Sequence, residues 1–200
     1  MIVDRINKAA RWVPTWAVYI VYMIPVPVLL YLGVTNGLGR DPVKALEHEL
    51  GEIALQLLII GLCISPLRKV FGINLIKFRR TVGLLAFTYV TLHLLVWAVL
   101  DVQSLERVWA DILKRPYITI GMAAFVLMIP LAVTSNNMSI RKLGVVWRKL
   151  HLLTYPIALL GALHYVWLAR GFQIEPLAYL TVIIALLAFR VPTLRKKAAA

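Results

Sequence analysis

Long apolar runs alternate with short polar segments along the chain, and six runs are long enough to cross a hydrocarbon layer of about 30 Å as helices. They predict membrane helices at residues 13–32, 48–67, 82–100, 117–133, 150–169 and 172–189. The second reaches full length only when it is extended backwards through LEHELGE, residues 46–52. Because the loops are short, the pattern predicts an all-α, polytopic membrane protein, with one domain over residues 1–200 built as a six-helix transmembrane bundle.

Composition supports a membrane protein and excludes several classes of enzyme. The chain is 61% hydrophobic and 16% charged, with a mean hydropathy of +0.82. Its first residues, MIVDRINKAARW, lack the small-residue cleavage site of a secretory signal, so we expect no processing. The sequence contains no glycine-rich nucleotide loop and no HExxH motif. We therefore predict neither a nucleotide-binding or hydrolytic site nor a catalytic residue.

The net charge of +13 is divided unevenly between the two sides of the predicted bundle. Sixteen of the 22 basic residues lie on the side that carries both termini, and eight of the nine acids lie on the other side. By the positive-inside rule both termini are cytoplasmic, and the acidic side faces the periplasm of a bacterium. The basic excess therefore predicts contact with lipid and does not indicate a nucleic-acid partner.

Histidines within the predicted helices are the main functional candidates, because ionisable side chains are costly in a membrane. Helices three and five run in the same direction, so His93 and His164 lie roughly 18 and 21 Å from the cytoplasmic edge at 1.5 Å per residue. Two neutral imidazoles at one depth can each give an axial nitrogen to a haem iron. We predict a bis-histidine, b-type haem between them; polar bonds across helices are the alternative.

Other metal and redox sites are disfavoured by the residue types present. Cys63 is the single cysteine, so the sequence has no CxxC pair and no CxxCH for covalent haem attachment. A zinc ion would need a third or fourth ligand at the depth of the two histidines, and no acid or thiol lies there. Haem iron is therefore favoured over an isolated metal ion.

His151 lies 13 residues before His164, about 20 Å nearer the cytoplasmic edge, so it cannot bind the same iron. A second haem at that level would need a partner on helix three, where the sequence has Arg79 and Arg80. Three roles remain open for His151: a ligand of a second haem, a hydrogen-bond partner of a propionate or flavin, or a polar cap. The two arginines either anchor to head groups or contact a propionate or flavin phosphate.

His48 lies among Glu47, Glu49 and Glu52 at the outer end of the second predicted helix. A histidine in an acidic surface cluster is usually solvated. Two functional alternatives remain: a bond to a propionate of the outer haem, or contact with a periplasmic partner.

Segments distributed over nearly the whole chain carry a family resemblance. They are GLGRDPVKALEHELGEIAL (37–55), SPLR (65–68), FRRTVGLLAFTYVTLHLLVWAVL (78–100), RPYITIG (115–121), TSNNMSIRKLGVVWRKLHLLTY (134–155) and LHYVWL (163–168). In this order and at these separations they resemble the MsrQ (YedZ) family. That family belongs to the ferric-reductase-like transmembrane superfamily.

The resemblance implies one or two haems b, an FMN, and a place in the bacterial inner membrane. It also implies electron delivery to a periplasmic molybdopterin enzyme, MsrP, which repairs oxidised methionine in proteins. His93, His151 and His164 match the haem-associated histidines of the family, and His48 matches a histidine after its DPVK loop. Relatives in the superfamily carry a cytoplasmic flavin domain that this sequence lacks. The expected donor is therefore a separate flavin reductase or quinol.

Two rival functions would use a similar bundle. A ferric or quinone reductase would use the same haem with a different electron acceptor, and would not depend on a protein partner. A transporter or purely structural subunit would bind no haem and absorb no visible light.

Overall fold

The computed structural model describes residues 1–169 and 172–190, and these residues form helices and no strands. Arg170 and the basic residues Arg195, Lys196 and Lys197, which contribute to the predicted charge asymmetry, lie outside the described residues. The helices are α1 (Ile2–Trp12), α2 (Thr15–Met23), α3 (Pro25–Val34), α4 (Pro42–Phe71), α5 (Arg79–Leu95), α6 (Leu105–Lys114), α7 (Pro116–Val133), α8 (Asn137–Leu143), α9 (Val145–Leu150), α10 (Thr154–Leu168) and α11 (Ile174–Ala188).

Five helical segments in the described residues are long and apolar enough to cross a membrane. They are Thr15–Val34, Pro42–Phe71, Ile76–Val102, Pro116–Val133 and Val145–Leu168. A further apolar helix, α11, has 15 residues and a length of roughly 22 Å at 1.5 Å per residue. The predicted all-α, multi-pass architecture is thereby confirmed.

The core is built around α4, which packs against α3, α5, α10 and α11. Its buried face includes Leu50, Ala54 and Leu57, spaced three or four residues apart as an α-helix requires. Facing residues are small at the closest approaches: Ala86, Ala158 and Ala162 have no exposed surface. Because lipid tails are as apolar as leucine, close packing between such residues, more than the hydrophobic effect, holds the helices together.

Several predicted helices are interrupted. The first is divided at Ile24, because Pro25 and Pro27 lack the N–H groups that would continue its hydrogen bonding. The third passes from α5 into a π-helical segment, Val96–Val102. The fifth begins with α9 and a 3₁₀ turn, His151–Leu153, before α10. Such breaks are tolerated at membrane depth where neighbouring helices cover the backbone.

Among the residues that the structure describes, two amphipathic helices, α1 and α6, lie outside the bundle, one at each end. The apolar face of α6 exposes Leu105, Trp109 and Leu113 at four-residue spacing, as expected for a helix that lies in the lipid interface. At the other end, α1 is tied to the α4–α5 turn through Asn7, which donates to the Gly72 carbonyl and accepts from the Asn74 amide.

Tyr89 is completely buried in α5, and its hydroxyl donates a hydrogen bond to the Tyr22 carbonyl at the end of α2. Tyr89→Phe should lower the free energy of unfolding by about 1 kcal/mol, the usual net value of such a bond. Thermal unfolding in detergent would measure the loss. Tyr31→Phe is the matched control, since Tyr31 is 68% exposed. Equal melting temperatures for the two variants would contradict the prediction.

Candidate haem-binding site

The start of α4 places a backbone carbonyl beside His93. Asp41 caps the helix by accepting a hydrogen bond from the Lys44 amide at 3.2 Å, and Pro42 occupies the first helical position. One turn further, the carbonyl of Glu47 lies 2.8 Å from Nδ1 of His93 on α5. The imidazole therefore rests against the backbone of α4.

Gly51 makes this approach possible. A Cβ atom at that position would lie 3.0 Å from Nδ1 and 3.2 Å from Cε1 of His93. Contacts this short would force the imidazole to move. The absence of a side chain at Gly51 thus leaves room for the imidazole on the surface of α4, beside the carbonyl of Glu47, which lies four residues earlier in the chain.

The same arrangement recurs on the other side of the bundle. Nδ1 of His164 on α10 lies 2.7 Å from the carbonyl of Tyr117, in the first turn of α7. A Cβ atom at Gly121, four residues later, would lie 2.9 Å from the same nitrogen. We call each set of carbonyl, glycine and histidine a half-site: Glu47, Gly51 and His93 form the first, and Tyr117, Gly121 and His164 form the second.

Hydrogen bonding in the half-sites determines the tautomer of each histidine. A carbonyl oxygen can only accept, so Nδ1 of both His93 and His164 must carry the proton and donate. In a neutral imidazole this leaves a free lone pair on Nε2, on the far side of the ring. An outward Nδ1–H bond that leaves Nε2 available is the arrangement of most metal-binding histidines.

The two imidazoles face each other across a cavity. Their ring centroids are 6.3 Å apart, and the ring planes are inclined at 82°. An imidazole nitrogen lies about 1.1 Å from the ring centroid and a metal–nitrogen bond is about 2 Å long, so a shared ion requires a centroid separation of about 6 Å. The spacing of His93 and His164 therefore fits one iron between them.

The cavity has a volume of about 570 Å³, within the range of cofactor sites. We call its inner part the floor; it is lined by Ala54, Leu58, Met128 and Ile157. We call its outer part the mouth; it is lined by Lys44, Glu47, His48, Asp101 and Arg115, near the ends of the helices. An apolar floor that excludes water and two opposed imidazoles suit a porphyrin, so the residues fit a haem.

Arg115 is the last residue before α7 and lies at the mouth. Its Nη1 donates to the Tyr117 hydroxyl at 3.3 Å, and its Nε lies 3.0 Å from a carboxylate oxygen of Asp111. The bond to Tyr117, together with the nearby acids, raises the pKa of the guanidinium above its ordinary value. Arg115 is therefore a permanent cation.

His48 lies at the mouth, away from the opposed imidazoles. Its side chain is 46% exposed, and its Nδ1 is 4.0 Å from a carboxylate oxygen of Glu52. Its ring packs edge-on against Tyr165, with 5.4 Å between centroids. Glu52 is held in turn by Gln56 and Tyr179, both at 2.9 Å.

His151 lies at the opposite end of the bundle and does not line the cavity. Its Nε2 is 3.2 Å from the Thr134 hydroxyl, and its ring stacks on Trp147 with 3.9 Å between centroids. Arg79 and Arg80 lie at that end too. Arg79 donates to the Ser65 hydroxyl at 2.5 Å, and Arg80 donates to the Asn137 side chain at 2.8 Å.

Within the described ranges, no group of three or more His, Cys, Asp or Glu side chains could hold a bare metal ion. The structure thus brings two of the four sequence-predicted histidines, His93 and His164, into one site. It places His48 at the edge of that site and His151 elsewhere.

Several residues of the site were not predicted from the sequence. Nothing in the sequence distinguishes Gly51 or the two carbonyls, and Gly121 is recognisable there only as a small residue suited to close packing. A signal was present, because the carbonyl and its histidine are separated by 46 residues in one half-site and by 47 in the other. Nearly equal separations indicate equivalent helix pairs, but one sequence does not show which residues are partners.

Comparison with known proteins links the chain to one family. The profile described as "Ferric reductase like transmembrane component" matches residues 44–162, a range that includes His93 and ends just before His164. No solved structure matches the chain significantly.

Curated relatives are similar over most of their length. The "Protein-methionine-sulfoxide reductase heme-binding subunit MsrQ" of Rhizobium meliloti is 49% identical over 176 residues, which cover 88% of this chain and 82% of the relative. The protein of the same description from Agrobacterium fabrum is 46% identical with the same coverage. That from Brucella ovis is 44% identical over 194 residues, with 95% and 87% covered.

Proposed function

Because the chain belongs to the ferric-reductase-like transmembrane family and, within it, to the MsrQ family, we propose that it is a haem b electron-transfer subunit of a protein-methionine-sulfoxide reductase. The observation that carries this proposal is the pair of imidazoles, His93 and His164, which oppose each other at 6.3 Å above an apolar floor. A bound haem would supply one-electron transfer between the ferric and ferrous states.

The residues that line the cavity would hold and bury that haem. The Glu47 and Tyr117 carbonyls keep the two Nδ1 atoms protonated and orient the rings, so that both Nε2 lone pairs are available without rearrangement. The floor excludes water, which favours binding of the macrocycle and influences its redox potential. Chemistry on the oxidised methionine belongs to the partner enzyme.

We propose one haem for each chain. His151 has its Nε2 beside Thr134 and one ring face against Trp147, so it is placed to stabilise the junction of α9 and α10. FMN remains a prediction from the family resemblance. The arginines considered for its phosphate, Arg79 and Arg80, have partners in Ser65 and Asn137.

The direction of electron flow follows from the predicted topology. The termini are proposed to lie in the cytoplasm, since most basic residues share their side of the bacterial inner membrane. The mouth of the cavity would then open towards the periplasm. Electrons would come from a flavin reductase or quinol, and would leave at the mouth to a molybdopterin reductase of the MsrP type.

The test is the dithionite-reduced minus oxidised visible spectrum of the purified protein, with pyridine haemochrome quantitation. We expect a low-spin b-type spectrum and one haem for each chain. Colourless protein from haem-sufficient cells would contradict the proposal and favour a transporter or structural role. Two haems for each chain would contradict the proposed stoichiometry.

A second measurement tests donor and acceptor. Haem-loaded protein in nanodiscs would be mixed with quinol, or with NADH and a flavin reductase, and its reduction followed by stopped flow. Reoxidation should then require the periplasmic reductase and oxidised methionine. Equally fast reoxidation by ferric chelates alone would favour the ferric reductase alternative.

A further inference from the structure

The cavity has one polar end and one apolar end, and haem b has the same asymmetry. Two propionates project from a single edge of the macrocycle, and the opposite edge carries apolar groups. Placing carboxylates among Ala54, Leu58 and Met128 on the floor would bury charge without a partner, which is strongly unfavourable. The propionate edge must therefore face the mouth.

Two cations line the cavity within the described residues, and both are at the mouth. Lys44 lies three residues before Glu47 in α4, and Arg115 lies two residues before Tyr117 at the start of α7. Each half-site therefore has one cation within three residues of the residue that supplies its carbonyl, and both cations line the same cavity. Both cations also lie at helix N-termini, where the helix dipole favours anions.

We propose that Lys44 and Arg115 bind the two propionates of the haem held by His93 and His164, and so determine its orientation. This inference rests on the proposed function and adds the residues that recognise the carboxylate edge of the cofactor.

The present partners of both cations leave capacity for a propionate. Nη2 of Arg115 has no hydrogen bond to the described residues, while Nε and Nη1 are bound to Asp111 and Tyr117. Nζ of Lys44 is 3.4 Å from Asp41, and the two side chains are 68% and 53% exposed. Exposed ion pairs contribute little, so this one can be exchanged for a propionate.

Because acidic side chains also line the mouth, the binding of propionates there depends on the two cations. Asp101 lines the same part of the cavity, and its carboxylate would repel propionates. Glu52 also lines the cavity, but it accepts hydrogen bonds from Gln56 and Tyr179. Without Lys44 and Arg115, the described part of the mouth would offer the propionates no permanent positive charge. Asp101→Asn should therefore strengthen haem binding, the opposite of the effect of removing a cation.

The experiment compares the binding of two ligands by the wild-type protein and by variants that lack one of the two cations. Apoprotein in nanodiscs is titrated with haem b and with its dimethyl ester, which keeps the iron and macrocycle but has no carboxylates. Arg115→Gln should weaken haem b binding about tenfold and Lys44→Gln about threefold, as expected for loss of a charged hydrogen bond in partly exposed positions. Binding of the diester should be unchanged.

Arg107→Gln is the matched control, because Arg107 is a cation on the same side of the bundle that does not line this cavity. It should alter neither affinity. Variants that bind the diester like the wild type are correctly folded. Equal losses for haem and diester, or a loss with Arg107→Gln as large as with Arg115→Gln, would overturn the propionate assignment. Failure of the wild type to bind either compound would overturn the proposed function itself.

Discussion

Replacing His93 with alanine is expected to abolish the low-spin haem spectrum. The variant would retain one of the two proposed ligands, His164, and would lose the ring whose centroid lies 6.3 Å from that of His164. With a single protein ligand, haem content should fall about tenfold or more, and any residual haem should be high-spin. His164→Ala should have the same effect, because the two half-sites are equivalent in geometry. Visible and electron paramagnetic resonance spectra of purified protein measure both quantities.

Adding free imidazole to His93→Ala distinguishes the loss of a haem ligand from the loss of the folded structure. Free imidazole can occupy the space of the deleted side chain, so it should restore the low-spin spectrum of His93→Ala. His151→Ala is the matched control, since His151 bonds to Thr134 away from the cavity. It should keep the full haem content. Half the wild-type haem in His151→Ala would show a second site at the other end of the bundle.

Gly121→Ala is expected to weaken haem binding without destabilising the protein. The added methyl group would lie 2.9 Å from Nδ1 of His164, so the ring must move away from the Tyr117 carbonyl. Loss of such an orienting partner typically lowers metal affinity 10- to 100-fold, and we expect a change of about that size. Gly51→Ala should act in the same way on His93, where the contact is 3.0 Å.

Gly83→Ala provides the control for this substitution. Gly83 lies in α5, and a Cβ atom there would have no neighbour within 4 Å. Alanine favours helix over glycine by about 1 kcal/mol, so the apoprotein melting temperature should rise slightly in Gly83→Ala. In Gly51→Ala and Gly121→Ala the lost bond between imidazole and carbonyl, worth about 1 kcal/mol, offsets that gain, so their melting temperatures should stay close to that of the wild type. Only Gly51→Ala and Gly121→Ala should then lose haem affinity. Wild-type affinity in these two would show that the imidazoles are not held by the glycine surfaces.

Hydropathy was sufficient to predict the all-α fold, because a segment that crosses a bilayer must satisfy its backbone hydrogen bonds internally. A run such as 117–133 has to be helical in hydrocarbon, and α7 spans Pro116–Val133. The helix breaks at Ile24 and at His151–Leu153 were harder to predict from the sequence. A proline indicates a kink but does not show how the neighbouring helices cover the exposed backbone. The helix rise alone predicts similar depths for His93 and His164, and the structure places both on one cavity, with 6.3 Å between their ring centroids and the ring planes inclined at 82°.

The residues around the histidines could not be predicted in this way. Which carbonyl meets His93 depends on the register between α4 and α5, and hydrophobic periodicity leaves that register undetermined. From the sequence, Lys44 and Arg115 are only two basic residues on the predicted outer side, because the sequence does not show which loops border the cavity. Haem ligation by His93 and His164 remains a prediction until the spectra are measured.

Main-chain oxygens hold both imidazole rings. This function therefore depends on where residues 47 and 117 lie in their helices and not on their side chains. At 47 and 117 the functional atom is present in every amino acid, so a mutational scan should find these positions permissive with respect to the orientation of the two imidazoles. At 51 and 121 the functional feature is the absence of any side chain, and there nineteen of the twenty residues would be rejected. Natural selection would therefore keep the glycines at 51 and 121 and allow variation at 47 and 117. A search for chemically active side chains alone would find the two histidines and overlook the residues that hold them.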